Sequence, residues 1–240
     1  MRYIFRLILV VLCVLMVVGC NSTNKKILVL PNDSYSSLYT SIHEAKHSID
    51  LVMYGFTDQA VANALIAAQQ RGVNVRVMLQ HYPYKNRHEN DAIVKILKQA
   101  GVAVHWANPQ FSITHQKTLV VDHALAYVMT FNFTDNTLRS ERNFALVVRD
   151  KQAISEIERA FNADWHGKKY FLEKDVNLVW SPNDAQTKIV ALINSAKHSL
   201  RVYNQEFASS YIMRALEKKA QSGVTVQLIV PFKNYNTYKH

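Results

Sequence analysis

Cysteine is nearly absent from this sequence. Of its 240 residues only Cys13 and Cys20 are cysteines, and both lie near the N-terminus. No cysteine pair remains after residue 20, which excludes a disulfide framework and a metal cluster built from thiolates in the rest of the chain. A buried core must therefore hold the protein together, and the chain is long enough for one long domain or two shorter ones.

The sequence also lacks an uncharged apolar run long enough for a comfortable membrane span. Residues 7–18 form a short apolar run that follows Arg2 and Arg6 and leads to Cys20. Residues 1–20 resemble a bacterial lipoprotein signal, in which Cys20 would be lipidated and become the first mature residue. An uncleaved N-terminal anchor is the alternative. Both interpretations place the folded part outside the cytoplasm, at a membrane. The lipoprotein interpretation predicts a protein of the bacterial cell envelope, lipid-anchored on the periplasmic side of the inner or outer membrane, or secreted.

Acidic residues are scarce relative to basic ones. The sequence contains 18 Asp and Glu against 28 Lys and Arg, which gives a formal net charge of +10. A positive surface attracts phosphate-rich partners, and both nucleic acids and anionic membranes belong to this class. The charge alone does not choose between them, and a charged surface that only keeps the protein soluble is the alternative.

What the sequence does contain is an alternation of strand-like and helix-like segments. The order βαβαβ over residues 27–79 predicts an α/β fold, with a mixed sheet flanked by helices. Thr57 is the predicted N-cap of the second helix, and Gly72 follows its end. Strands are predicted at 27–30, 49–56, 73–79, 102–106, 124–132 and 143–148, and further helices at 34–47, 91–100 and 152–165.

Residues 81–90 form a polar loop rich in aromatic side chains, directly after the third predicted strand. Ligands of open α/β sheets usually bind beyond the carboxyl ends of the strands, so this loop could shape a pocket. A plain exposed loop is the alternative interpretation.

The first part of the chain recurs later in the sequence. Residues 31–80 and 182–231 align without gaps at an offset of 151, with 15 identical residues in 50, against roughly 3 expected from average composition. The sequence therefore predicts a tandem repeat, with a first repeat at 27–170 and a partial second repeat at 176–240. At the same offset, the equivalent of residue 115 would fall at 266, beyond the last residue.

One stretch of the first repeat carries a distinctive set of side chains. It runs from His115 through Lys117 to Asp122. On an extended strand, residues i and i+2 point to the same face, so His115 would present a nucleophile or base beside the positive charge of Lys117. That pair suits attack on a phosphate, because the imidazole can bond to phosphorus while the ammonium neutralises the anion.

This stretch, with Thr130-Phe131-Asn132 and Ser140-Glu141 after it, resembles the HKD motif of the phospholipase D superfamily, which includes cardiolipin synthase-like proteins. The resemblance extends into the second repeat, and it implies that the chain stops before a second HKD motif. It also implies a phosphodiesterase that needs no metal or other cofactor.

The resemblance assigns roles to individual residues. His115 would attack phosphorus and form a phosphohistidine, while Lys117 and Asn132 hold the phosphate oxygens. Asp122 or Glu141 would orient the imidazole by accepting its other N–H, and a second histidine from the partner motif would protonate the leaving alcohol. Where the family has Gly-Ser, this chain has Met129-Thr130, so that Thr130 keeps the hydroxyl near the phosphate.

Three functions remain open at this stage. The first is hydrolysis of glycerophospholipids, which the predicted membrane tether and the two-repeat layout favour. The second is an endonuclease with one HKD motif per chain that completes its site as a homodimer, for which residues 27–170 would suffice and which the basic surface suits. The third is a truncated, inactive remnant. A half-built repeat leaves sheet edges and apolar surface uncovered, so we expect that the natural protein continues past His240 or that this chain dimerises.

Overall fold

The computed structural model describes residues 26–83, 88–134, 137, 140–171 and 177–231. The predicted signal segment and Cys20 lie outside these ranges. Within them, no helix combines the length and apolar character that a membrane crossing requires. The chain divides into two compact units, Met1–Val176 and Asn177–His240.

The first unit is a seven-stranded mixed sheet with helices packed against it, which confirms the predicted α/β fold. Its helices are α1 (Ser36–Glu44), α2 (Gln59–Gln70), α3 (Asp91–Gln99) and α4 (Lys151–Trp165). Its strands are β1 (Lys26–Leu30), β2 (Ser48–Met53), β3 (Asn74–Leu79), β4 (Ala103–Trp106), β5 (Thr118–Val121), β6 (Leu125–Met129) and β7 (Asn143–Val148). They lie in the order β1-β7-β6-β5-β2-β3-β4.

The pairing between neighbouring strands changes from antiparallel to parallel once across this sheet, at β2. Strands β2, β3 and β4 run parallel to one another, whereas β5 is antiparallel to β2 and the remaining neighbours are antiparallel. The central strand β2 is buried from Ile49 to Met53. Apart from Asp50 these residues are apolar, and a nearly continuous apolar run of this kind is typical of a strand that is covered on both faces.

One buried charge in the central strand helps to hold α4 on the sheet. Asp50 of β2 is 4% exposed, and its carboxylate is paired with the Arg76 guanidinium of β3 at 2.6 Å. The same guanidinium lies 4.7 Å from the centroid of the Phe161 ring on α4. The ion pair thus satisfies the buried carboxylate and gives α4 an aromatic contact with the sheet.

Several predicted boundaries were wrong. The helix predicted over 34–47 ends at Glu44, and the strand predicted over 49–56 ends at Met53. Two further errors lie close to the edge where β2 and β6 end. Asp58, rather than Thr57, caps α2, because its Oδ1 accepts the N–H groups of Ala60 and Val61 at 2.8 and 3.0 Å. The strand predicted over 124–132 ends at Met129. The pairing of β6 with β7 ends at Met129. Three residues later, the side chain of Asn132 is hydrogen-bonded to Gly55, which follows the end of β2.

The second unit repeats the elements α1 to β3 of the first, whereas its described residues 177–184 contain no strand corresponding to β1. It contains α5 (Ala185–Ser195), β8 (Ser199–Tyr203), α6 (Ser210–Gln221) and β9 (Thr225–Ile229), and β8 and β9 pair in parallel as β2 and β3 do. Adding 151 to the bounds of α2 gives those of α6. The sequence repeat therefore has a structural counterpart in these four elements.

Candidate active site

One edge of the first sheet gathers most of the predicted site residues. Because β5 is antiparallel to β2, the residues just before β5 lie at the edge where β2, β3 and β4 end. His115 and Lys117 precede β5 there, and Tyr54 follows β2. Strand β6 ends at the same edge, where the Met129 N–H donates to the Lys117 carbonyl oxygen at 2.9 Å.

His115 and Lys117 meet on the ring of Tyr54. The Lys117 ammonium donates a hydrogen bond to the carbonyl oxygen of His115 at 2.7 Å, and its Nζ lies 5.0 Å from the centroid of the Tyr54 ring. The imidazole of His115 packs edge-on against the same ring, with centroids 4.6 Å apart. The structure therefore brings a fixed positive charge and an imidazole to a single aromatic surface.

Burial sets the protonation states of this pair. Lys117 is 5% exposed, and its desolvation lowers the pKa of the ammonium to about 8. His115 stays accessible to solvent. Desolvation, and secondly the charge of Lys117, lowers the pKa of its imidazole below the ordinary 6.5. At neutral pH the imidazole is neutral with a lone pair available, while most of the ammonium keeps its charge.

Asn132 is held beside this pair by the backbone after β2. Its Oδ1 accepts the N–H of Gly55 at 3.1 Å, and the Phe133 N–H donates to the Gly55 carbonyl oxygen at 3.0 Å. A Cβ at Gly55 would lie 3.3 Å from the Asn132 Cγ, so glycine permits the close approach. With its oxygen engaged, the Asn132 amide has two N–H donors at its other end, which suit a phosphate oxygen.

Sequence reasoning missed Asn90, a buried residue that ties the two strand ends together. Its Oδ1 accepts the N–H of Phe56 at 2.7 Å, and its Nδ2 donates to the carbonyl oxygens of Tyr54 and Gln80, both at 2.8 Å. Asn90 is 0% exposed. Asn90 holds the backbone of Tyr54, and the ring of Tyr54 contacts both His115 and Lys117. Asn90 is therefore a positioning residue for the site.

Tyr54 and Gly55 were also missed, and the internal repeat offers no clear signal for them. At the offset of 151, Phe56 is retained as Phe207, whereas Gln205 and Glu206 replace Tyr54 and Gly55. Because the two copies differ at most of the 50 aligned positions, this difference alone does not mark a site residue.

Thr130 and Glu141 lie at the same edge but are engaged with β7. The Thr130 hydroxyl donates to the Asn143 Oδ1 at 2.9 Å and accepts the Phe144 N–H at 2.9 Å. Glu141 accepts from the Asn143 Nδ2 at 3.2 Å. In the described part of the chain neither residue has a hydrogen bond to His115, so the predicted roles in phosphate binding and imidazole orientation do not follow from this geometry.

Asp122 lies at the opposite edge of the sheet, and its predicted role beside the imidazole was wrong. Its carboxylate accepts the backbone N–H groups of Lys46, His47 and Ser48 at 2.7 to 2.9 Å. These residues lead into β2, at the far end of the strand from Tyr54. Strand β5 lies between His115 and Asp122, and seven residues of extended chain span roughly 23 Å.

We expect Asp122→Ala to lower the free energy of unfolding by about 2 kcal/mol, because it removes three hydrogen bonds from backbone N–H groups to a carboxylate. Desolvation raises the pKa of this carboxyl, but the bonds from Ser48, Lys46 and His47 outweigh it and hold the pKa below its ordinary value. The stabilisation is therefore present above the ordinary carboxyl pKa and is lost as the pH falls through the lowered one.

Urea unfolding of the full chain at neutral and acid pH measures this loss. Glu44→Ala, which removes an exposed carboxylate at the end of α1, serves as the matched control and should change stability little. Unchanged stability in Asp122→Ala would contradict the structural role.

The sequence of this chain is similar to known protein families. The family model described as "Cardiolipin synthase, PLD-like domain" matches residues 38–165 and 189–240. Cardiolipin synthase B of Shigella flexneri is 26% identical over 247 residues, which cover 85% of this chain and 59% of that protein. Polyphosphate kinase of Vibrio parahaemolyticus is 26% identical over 188 residues, which cover 72% of this chain and 27% of that protein. The chain thus spans only part of the length of these relatives.

The fold is shared with solved structures as well. Nuc from Salmonella typhimurium, described as a phospholipase D family member, superposes with a TM-score of 0.55 at 23% identity, over 62% of this chain and 99% of that one. At this identity the likeness shows a common fold. The family model, in contrast, covers most of the sequence and reaches into both units. The chain therefore belongs to the cardiolipin synthase-type, phospholipase D-like family of the phospholipase D superfamily.

Proposed function

We propose that this protein is a phosphodiesterase of the phospholipase D type, with His115 as its nucleophile. The observation that carries the proposal is the pairing of a neutral, solvent-accessible imidazole with the buried ammonium of Lys117 on the ring of Tyr54. A neutral imidazole can attack phosphorus, and a desolvated cation stabilises the negative charge that builds on the phosphate oxygens. Membership of the phospholipase D-like family supports this chemistry.

The reaction would proceed in two displacements. In the first, the lone pair of an imidazole nitrogen of His115 forms a bond to phosphorus, and the bond from phosphorus to the leaving alcohol breaks with its electron pair on that oxygen. In the second, water attacks the phosphohistidine, the P–N bond breaks, and neutral His115 is restored. Lys117 and the amide of Asn132 would hold the phosphate oxygens in both steps.

The leaving oxygen needs a proton in the first step, and the attacking water must lose one in the second. We propose that a second histidine performs both transfers, supplied by another HKD motif in a continuation of the chain or in a second copy of it. This part of the proposal rests on the resemblance to the phospholipase D superfamily.

The first candidate substrate is a glycerophospholipid. The name of the relative cardiolipin synthase B denotes chemistry on a phospholipid, and the predicted lipidation of Cys20 would hold the site at a membrane of the cell envelope. The second candidate is a nucleic acid. A group of stacked aromatic rings at the same sheet edge favours it, as does the net charge of +10.

The direct test is an assay of the full chain in detergent micelles against two substrates, phosphatidylcholine in mixed micelles and a single-stranded oligonucleotide. We expect cleavage of a phosphodiester bond in at least one of them, unaffected by EDTA because the proposed steps use no metal. Sedimentation of the active fractions would show whether activity follows a dimer. If no fraction turns over either substrate, the chain is the inactive remnant and the enzymatic proposal fails.

A further inference from the structure

We propose that Trp106, His81 and Tyr82 form a stacking subsite for a base of single-stranded nucleic acid, next to the phosphate held at His115. The inference rests on the proposed phosphodiesterase function and specifies the substrate class of that same site. We call these three side chains the aromatic ladder.

The rings of the aromatic ladder are nearly parallel. The His81 ring stacks on the Trp106 ring with centroids 4.3 Å apart and planes 23° apart. The Tyr82 ring stacks on the His81 ring at 3.9 Å and 22°. Trp106 is the last residue of β4 and packs against the main core, whereas Tyr82 is 53% exposed. The ladder therefore rises from the core and presents a tyrosine ring to solvent.

The aromatic ladder lies at the same sheet edge as the candidate nucleophile. Gln80, the residue before His81, accepts the N–H of Thr114 on its Oε1 at 2.8 Å, and Thr114 directly precedes His115. Gln80 also donates its own N–H to the carbonyl oxygen of Met53, the residue before Tyr54, at 3.2 Å. Strand β3 is the second neighbour of β5, so the ladder begins about 10 Å from His115. A nucleotide adjacent to the reacting phosphate could reach it.

The ring geometry favours a planar ligand over a lipid headgroup. An aromatic cage for a quaternary ammonium surrounds the cation with ring faces, whereas the aromatic ladder stacks its rings face to face. A nucleobase added to Tyr82 would continue the same stack, and every base has the π-face that this requires. The ring of His88 stands at 87° to that of Tyr82 with centroids 6.3 Å apart, so it borders Tyr82 without belonging to the stack.

The experiment measures binding separately from catalysis, in full chain carrying His115→Ala. Its probes are a single-stranded oligonucleotide, an abasic oligonucleotide of the same length and charge, and an oligonucleotide with a base analogue whose fluorescence is quenched by stacking. We expect the intact oligonucleotide to bind about tenfold more tightly than the abasic one. We expect Tyr82→Ala to remove most of that difference and of the quenching, and Tyr82→Phe to retain both.

Tyr211→Ala is the matched control, because Tyr211 is 58% exposed and lies in the second unit. It should leave the difference between the two oligonucleotides unchanged. Equal binding of intact and abasic oligonucleotides, or quenching that survives Tyr82→Ala, would overturn the subsite. Loss of phosphatidylcholine micelle binding in Tyr82→Ala, without an effect on the oligonucleotides, would overturn it in favour of a headgroup site.

Catalytic failure and subsite failure give different results. A chain that turns over no substrate but still discriminates intact from abasic oligonucleotide retains the subsite and loses the proposed enzymatic function. A chain that cleaves phosphodiesters but shows no discrimination loses only the subsite.

Discussion

Replacing His115 with alanine is expected to reduce turnover by at least about a thousandfold, because the variant lacks the nitrogen that would bond to phosphorus. The imidazole lies at the edge of the site and remains accessible to solvent, so the truncation should leave the fold intact. The decisive measurement is chemical trapping. A substrate labelled on its phosphorus should transfer acid-labile label to the wild-type chain and none to His115→Ala.

The matched control is His43→Ala, which removes an exposed histidine from the last turn of α1 in the same unit. It should be labelled and should turn over substrate as the wild type does. Label on His115→Ala, or turnover equal to that of the control, would show that His115 is not the nucleophile. Thermal unfolding of both variants would separate a chemical effect from misfolding.

Replacing Lys117 with methionine is expected to reduce kcat/KM by about a hundredfold to a thousandfold, the usual cost of removing one group that stabilises transition-state charge. The same change should leave the melting temperature unchanged or raise it. Methionine is long and flexible enough to fill the buried position of Lys117, which is 5% exposed. The substitution also removes a desolvated ammonium from that position. If Lys117 served only in packing, Lys117→Met would instead lower the melting temperature and leave kcat/KM unchanged.

The pH dependence of stability follows from the same residue. The pKa of Lys117 is about 8 in the folded chain against 10.5 for an unperturbed lysine. Between these values the unfolded chain binds more protons than the folded one, so the free energy of unfolding of the wild type rises with pH across that window. The full rise amounts to about 3 kcal/mol, and it should be absent in Lys117→Met.

The pH dependence of activity has the opposite sign over the same range. As the pH rises through about 8, Lys117 loses the charge that neutralises the phosphate, and kcat/KM should fall. On the acid side, protonation of His115 below its lowered pKa removes the attacking lone pair. Lys95→Met, which removes an exposed lysine from α3, is the matched control and should alter neither profile. A wild-type rate that stays constant well above pH 8 would contradict the role of Lys117.

The parts of the site that lie close together in the chain could be read from the sequence. His115 and Lys117 are two residues apart, so local backbone geometry is enough to bring them together. Asn132 lies 15 residues after Lys117, and its role was predicted from the resemblance to the phospholipase D superfamily rather than from local geometry. Most strands and helices of the first unit follow from hydrophobic periodicity and turn residues, because those signals are also local. The elements of the second unit follow from the internal repeat.

The errors fall where a distant partner decides the role of a residue. Asp122 lies seven residues after His115 in sequence, but the strand between them carries it to the other edge of the sheet, where the backbone before β2 supplies its partners. Thr130 and Glu141 lie at the correct edge, and there the pairing of β6 with β7 determines what their side chains contact.

Around His115, the sequence by itself determined the element order, the repeat and the identity of the reactive pair, because each depends on short-range pattern or on comparison within the chain. The tertiary structure decided that Tyr54 supports both reactive side chains, that Asn90 holds Tyr54, and that burial lowers the pKa of Lys117 to about 8. The physical reason is that desolvation and cross-strand contacts depend on which strands pair. In this sheet β5 pairs antiparallel with β2, and this pairing brings His115 and Lys117 next to Tyr54.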